Sequence, residues 1–173
     1  MDTAREPHAG KAPARGRVAV RARQLVREPF TARTWRQAAY ALLAVPVGLA
    51  AVPVALLGGR AAAGRRQRDL VGRFLGVRLP GSSPGVLHAL LALPLNLAVA
   101  ALTLYGWSIV PMNIGWPLRG GDPATSWGGP TFAGAWVFHA VLGGIGFLLL
   151  MPWLGRALAA LQLRLATALL ARP

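Results

Sequence analysis

A chain of 173 residues with a formal charge of +14, from 19 basic and 5 acidic side chains, has room for one domain. Its Leu, Ala and Val are gathered into uninterrupted blocks that a soluble protein of this size could not bury, which favours an integral membrane protein over a water-soluble one. With no cysteine, disulfides, iron–sulfur clusters and thiolate metal sites are excluded.

The basic residues are clustered and not spread over a face. Nine precede Gln37, six lie from Arg60 to Arg78, three follow Leu154, and Arg119 stands alone. Basic clusters beside apolar runs are the signature of cytoplasmic flanks facing anionic lipid, so no nucleic-acid partner is expected.

Residues 1–29 are rich in Arg, Ala, Pro and Gly and hold few large apolar side chains. Such a segment cannot bury enough surface to offset its ordering entropy, and a disordered basic cytoplasmic tail is predicted ahead of a membrane-embedded domain over residues 30–173. Arg15, Arg17, Arg21, Arg23 and Arg27 suit a tail that fixes topology, with headgroup or nucleic-acid binding as the lesser alternative. About 35 polar residues precede the first apolar run, so a cleaved signal peptide is not expected.

Thr31 or Thr34 can cap a helix that begins near Trp35, a residue suited to the inner membrane boundary. The run from Trp35 to Gly59 contains Pro46 and Pro53 and has strongly basic flanks on both sides. A single crossing would put those flanks on opposite sides of the membrane, against the positive-inside rule. Two readings stand: a proline-broken hairpin dipping in from the cytoplasmic side, slightly favoured, or a crossing that forces one flank outward. From Arg60 to Leu79, Leu70, Val71, Phe74 and Leu75 form one stripe with arginines mostly opposite, which predicts an amphipathic interfacial helix.

Val86 to Pro111 and Gly134 to Leu154 contain no Asp, Glu, Lys or Arg, and each is long enough to cross a bilayer. Between them, Met112 to Thr131 carries one cation, one anion and many Gly and Pro, and is the natural outside segment. Tyr105, Trp107 and Trp116 are assigned to the outer end of the first span, Trp136 to re-entry, and Trp153 to the inner side. From Leu154 onward, Leu154, Leu158, Leu161, Leu165 and Leu169 make a heptad-like stripe, which suits an interfacial helix or, less well, a dimer seam. Ala41 to Ala50 aligns without a gap on Ala89 to Ala98, matching at seven of ten positions. In each half a Gly-Arg-Ala then opens a basic helix, at Gly59 and at Gly155, so a duplicated unit of apolar hairpin plus interfacial helix is expected. The fold class predicted is all-α. It is a polytopic membrane helical bundle with two firm transmembrane helices, a third proline-broken or re-entrant segment, and two amphipathic interfacial helices.

The segments TWRQAAYALLAVPVGL, FLGVRLP, ALLALPLNLA and MPWLGRALAALQLRLATALLARP together resemble an actinobacterial membrane-embedded sensor domain, over about Phe30 to Pro173. That family occurs alone or as the input region of histidine kinases, and usually shows four spans as two hairpins. Here only one apolar run precedes Arg60. The resemblance implies a signal-input role and supplies no catalytic residues.

Polar groups inside apolar runs must find partners, and so mark helix packing or function. They are Asn96, Thr103, Ser108 and His139, with His88 and Asn113 at the ends. A neutral His139 could bond Ser108 or Asn113, although a plain interhelical hydrogen bond is the favoured role. No phosphate loop, zinc motif, serine elbow or acidic pair occurs, so neither catalysis, a cofactor nor a metal is expected. The function expected is a signal-input module of the cell membrane, with both termini cytoplasmic. Its sensing residues would be Trp107, Ser108, Asn113, Trp116, Trp127, Trp136 and His139. Its partners would be the lipid bilayer, a histidine kinase or other membrane signalling protein, and a second copy in a homodimer. The alternative is a structural or assembly subunit of a membrane complex, docking through Gly143, Gly144 and Gly146 and the leucine stripe.

Overall fold

The computed structural model describes residues 14–171, with side chains from Val20 onward. Among the described residues every regular element is helical: α1 (Ala14–Arg27), α2 (Ala32–Val54), α3 (Arg60–Leu75), α4 (Val86–Ile114), α5 (Phe132–Phe138) and α6 (Phe147–Leu170). Three stretches are long and apolar enough to cross a membrane: Ala32–Leu75, Val86–Ile114 and Phe132–Leu170. This agrees with a multi-pass membrane protein.

The expected disordered tail differs from the structure where the two overlap. Residues 1–13 lie outside the described residues, but Ala14–Arg27 is helical. From Val20 to Arg27 its side chains are exposed, so helix propensity of its Ala, Arg, Gln and Leu, and not packing, accounts for it. A short 3-10 turn at Glu28–Phe30 leads to Thr31, whose hydroxyl accepts from the Thr34 amide at 3.3 Å and caps α2.

Pro46 and Pro53 both sit inside α2 without ending it. A proline removes one backbone bond, which neighbouring helices can tolerate. The reversal comes later, at Leu57 and at Gly58, whose φ of 89° is a conformation that side chains rarely adopt. Beyond it α3 runs back along α2. Ala63 packs with Ala51 and Ala55 near the turn, and Val71 packs with Tyr40 and Ala44 further along. At the far end an Arg36 guanidinium N–H donates to the Arg73 carbonyl.

Arg73 of the second basic flank therefore meets Arg36 of the first at one end of a helical hairpin, while Arg60 lies at its turn. The expected hairpin is corrected in one respect: its second arm is the basic helix itself and not part of residues 37–59. Of the stripe Leu70, Val71, Phe74 and Leu75, Val71 is buried with Tyr40, Ala44, Ala166 and Leu170 and the other three are partly covered, so protein takes part of the face that had been assigned to lipid.

The loop after α3 returns beneath the hairpin. Arg68 donates to the Ser83 carbonyl at 2.9 Å and Gln67 to the Gly85 carbonyl at 3.0 Å. Gly64 lies so close to Ser83 that a Cβ would collide with its carbonyl oxygen. α4, about 43 Å long at 1.5 Å per residue, then runs antiparallel to α2. Trp35 stacks on Trp107 at one end, while Ala51 and Ala55 share a cluster with Ala89 at the other.

α5, a π-helical segment (His139–Gly146) and α6 form one continuous rod antiparallel to α4. Gly143 faces Asn113, Met151 faces Gly106, and Gln162 bonds Asn96. The rod passes Gly155-Arg156-Ala157 without turning, whereas Gly59-Arg60-Ala61 follows a reversal, so the two halves are not equivalent there. The final segment, expected at the interface, instead buries Ala159, Gln162, Ala166 and Leu170 in the bundle. The repeat does share its burial phase. Tyr40, Ala41, Ala44, Gly48 and Ala51 are buried in α2, and the aligned His88, Ala89, Ala92, Asn96 and Val99 are buried in α4.

Two glycines in helices separate close packing from open space. Gly→Ala in a helix normally gains about 0.5–1 kcal/mol through backbone entropy. Gly155→Ala, where a Cβ meets nothing within 4 Å, should therefore raise the melting temperature in detergent. Gly64→Ala should lower it, because the methyl group displaces the Ser83 backbone.

Candidate functional site

The end of the bundle formed by α4, the following loop and α5 carries an aromatic cluster. After α4 ends at Gly115, a 3-10 turn over Trp116–Arg119 folds Trp116 inward until it is 3 % exposed. Phe132 and His139 lie against it with ring centroids at 5.4 Å each, and Phe138 approaches His139 at 5.9 Å. Trp127 stacks on Phe138 at 6.1 Å while its other face is open. Trp136 donates from its indole nitrogen to the Ile114 carbonyl at 3.0 Å, satisfying a backbone group left free at the end of α4. The only carboxylate of this region, Asp122, is occupied in folding the loop: it accepts from the Ala124 amide at 2.9 Å.

The residues expected to sense a signal divide into two groups. Trp116, Trp127, Trp136 and His139 converge in or beside the cluster, and Asn113 lies just below it against Gly143. Trp107 and Ser108 do not join them. Trp107 stacks on Trp35 at 4.8 Å, so these two tryptophans share one depth and cannot mark opposite membrane boundaries as assigned from the sequence. α4 continues for two further turns beyond Trp107, which is why its aromatic residue fell short of the outer end.

The proposed bond from His139 to Ser108 or Asn113 is also corrected. The His139 ring nitrogen pairs with the Ala135 carbonyl at 2.9 Å, Ser108 with the Tyr105 carbonyl at 2.8 Å, and Asn113 with the Ile109 carbonyl at 2.8 Å. Each polar group is satisfied one turn back on its own helix, a geometry open to any short polar side chain there.

Directly below the cluster the rod is π-helical from His139 to Gly146. Such segments are rare and concentrate at functional positions, since each inserts a residue into the α-helical register. The glycines here are used inside the chain. A Cβ at Gly143 would overlap Asn113 and one at Gly144 would meet Ile114, so the glycine face suggested for a partner helix is taken by α4.

Further along, two polar pairs bridge helices within the bundle. Gln162 donates to Asn96 at 2.8 Å, both side chains being buried, and His88 bonds Gln67. Asn96 and His88 were legible as polar groups in an apolar run. Gln162 and Gln67 were not, because each sits in an arginine-bearing amphipathic stretch where a glutamine reads as solvent-facing. A third polar contact holds the start of α2: Arg156 pairs with Glu28 and lies over the Trp153 ring at 4.4 Å. Among the described residues no three His, Asp or Glu side chains converge on a common point.

Compared with protein-family models, curated proteins and solved structures, the chain matches none.

The Asn96–Gln162 pair gives a test of how the rod is held. Asn96→Leu or Gln162→Leu alone strands a buried amide and should cost about 1–3 kcal/mol of stability. The double variant should recover most of that loss, which a thermal double-mutant cycle in detergent measures.

Proposed function

We propose that the chain is a membrane-embedded signal-input module. Its aromatic end receives an apolar or envelope-derived signal, and the α6 rod carries the response to the α2–α3 hairpin. The observation that supports this reading is the position of the π-helical segment, between the Trp116–His139 cluster and the part of the rod that packs on the hairpin.

A π-helical turn holds one residue more than the α-helix needs. Its conversion to α-helix would rotate everything beyond it by about 100° and shift it by about 1.5 Å. His139 opens the segment, so a ligand that separates His139 from Trp116 acts on its first turn. Rotation of α6 would draw Gln162 from Asn96 and move Ala166 and Leu170 against Tyr40 and Val71. For this to work the signal must favour one register over the other. The exposed Arg65, Arg66 and Arg73 of α3 would then present the changed surface to a cytoplasmic partner such as a histidine kinase. The resemblance to a sensor domain points the same way.

An assembly subunit is the second reading. It draws on the exposed Val137, Val141, Leu142 and Ile145 along the rod. Lipid covers such a row as well as protein does.

Hydrogen exchange on the full chain in nanodiscs distinguishes the two. Trp116→Ala and His139→Ala should each raise exchange in Phe147–Leu170 and in α3 by several-fold, as a rod coupled to the cluster requires. An increase confined to residues 132–146 refutes the input reading and leaves the assembly one.

The sidedness that the proposal requires is tested separately. Single cysteines at Thr125 and at Leu57 of the α2–α3 turn, at opposite ends of the bundle in a chain that has no other cysteine, should be reached by an impermeant maleimide from opposite sides.

A further inference from the structure

We propose that the groove between the start of α2, the end of α3 and the middle of α6 binds one anionic phospholipid. Arg33, Arg36 and Arg156 hold its phosphate, and its acyl chain lies over Phe74, Leu75 and Leu163. The inference is independent of signalling and rests only on the chain's lying in a membrane.

The groove has a volume of about 510 Å³ and a divided lining. One side carries three guanidinium groups from two helices, and no Asp or Glu lines it. The other side is made of apolar side chains from α3 and α6. An arginine cluster alone suits any anion, and an apolar floor alone suits any hydrocarbon. Their juxtaposition selects a molecule with both parts, and basic pockets between helices at headgroup depth are where anionic lipids bind.

The arginines are held in place yet keep donors to spare. Arg36 uses one N–H on the Arg73 carbonyl, and Arg156 is fixed between the Glu28 carboxylate and the Trp153 ring. A guanidinium has five N–H groups, so both retain donors, and Arg33 is exposed at the rim. Glu28 offsets one of the three positive charges and leaves an excess of two.

The choline cation of a zwitterionic lipid would face the two uncompensated positive charges, so the groove selects a lipid with net negative charge. Depth is set by Trp35, stacked on Trp107, and by Trp153 beside Arg156, since tryptophans favour the headgroup layer. Inorganic phosphate would satisfy the arginines but leave Phe74, Leu75 and Leu163 wet.

The test is native mass spectrometry on the full chain in detergent, titrated with phosphatidylglycerol or phosphatidylcholine, and with sodium phosphate as competitor. Wild type should retain one phosphatidylglycerol and bind phosphatidylcholine at least about tenfold more weakly, as repulsion between the choline cation and the positively charged groove implies. Arg33→Gln with Arg36→Gln should lower retention of phosphatidylglycerol by about tenfold or more. Arg65→Gln with Arg66→Gln, on the exposed side of α3, should leave it unchanged. Ala160→Trp keeps every arginine and fills the apolar part from an exposed position, and should also block the lipid. Should the first double variant lose helix content, Ala160→Trp decides alone. Equal retention of the two lipids, equal loss from the two double arginine variants, or displacement of the lipid by phosphate overturns the proposal.

Discussion

In lipid, apolar side chains gain nothing by leaving the solvent for one another, so helices associate only where backbones can approach closely or polar groups can meet. The antiparallel contact of α2 with α4 meets the first condition along most of its length. Ala41, Ala44, Gly48 and Ala51 face inward on one helix, and Ala89, Ala92, Asn96 and Val99 on the other. Everything else is added to this pair. α3 folds back onto α2 because Gly58 reverses the chain, and it stays there because Gly64 and Gln67 let the return loop pass beneath it. The α6 rod lies along α4 and is pinned by Gln162 to Asn96, on the same inward face.

The same packing links the aromatic cluster to the hairpin. The cluster around Trp116 and His139 is separated from Asn96 by more than two turns of α4, too far for direct contact. One unbroken rod reaches both. Its π-helical segment lies at the near end, where Asn113 and Ile114 fill the space over Gly143 and Gly144. The rod touches the hairpin through Ala166 and Leu170 at its far end, and the arginine groove lies between those two ends.

Much of the helical content and the position of the long apolar stretches could be read from the chain, because runs free of charge and longer than a bilayer have few other uses. Of the seven residues expected to sense a signal, four, Trp116, Trp127, Trp136 and His139, lie together at one end of the bundle. Trp107 and Ser108 fell outside because residue type marks an interface only when the end of the helix is known, and α4 runs on past them. His139 was expected to reach across to another helix. A nearer carbonyl on its own helix won.

By itself the sequence determined the all-helical class, the three apolar stretches and the grouping of arginines, since these follow from composition and local period. It also carried the phase of burial in the repeat, with small residues recurring at helical spacing in both copies. Only the tertiary structure decided that α3 turns back on α2, that α6 runs straight past Gly155, and that Gln67 and Gln162 face inward. These depend on one backbone angle at Gly58 and on which neighbour covers a given face. Neither is encoded in the average polarity of a segment, because an arginine-bearing helix with one apolar stripe fits a lipid surface and a protein groove equally well.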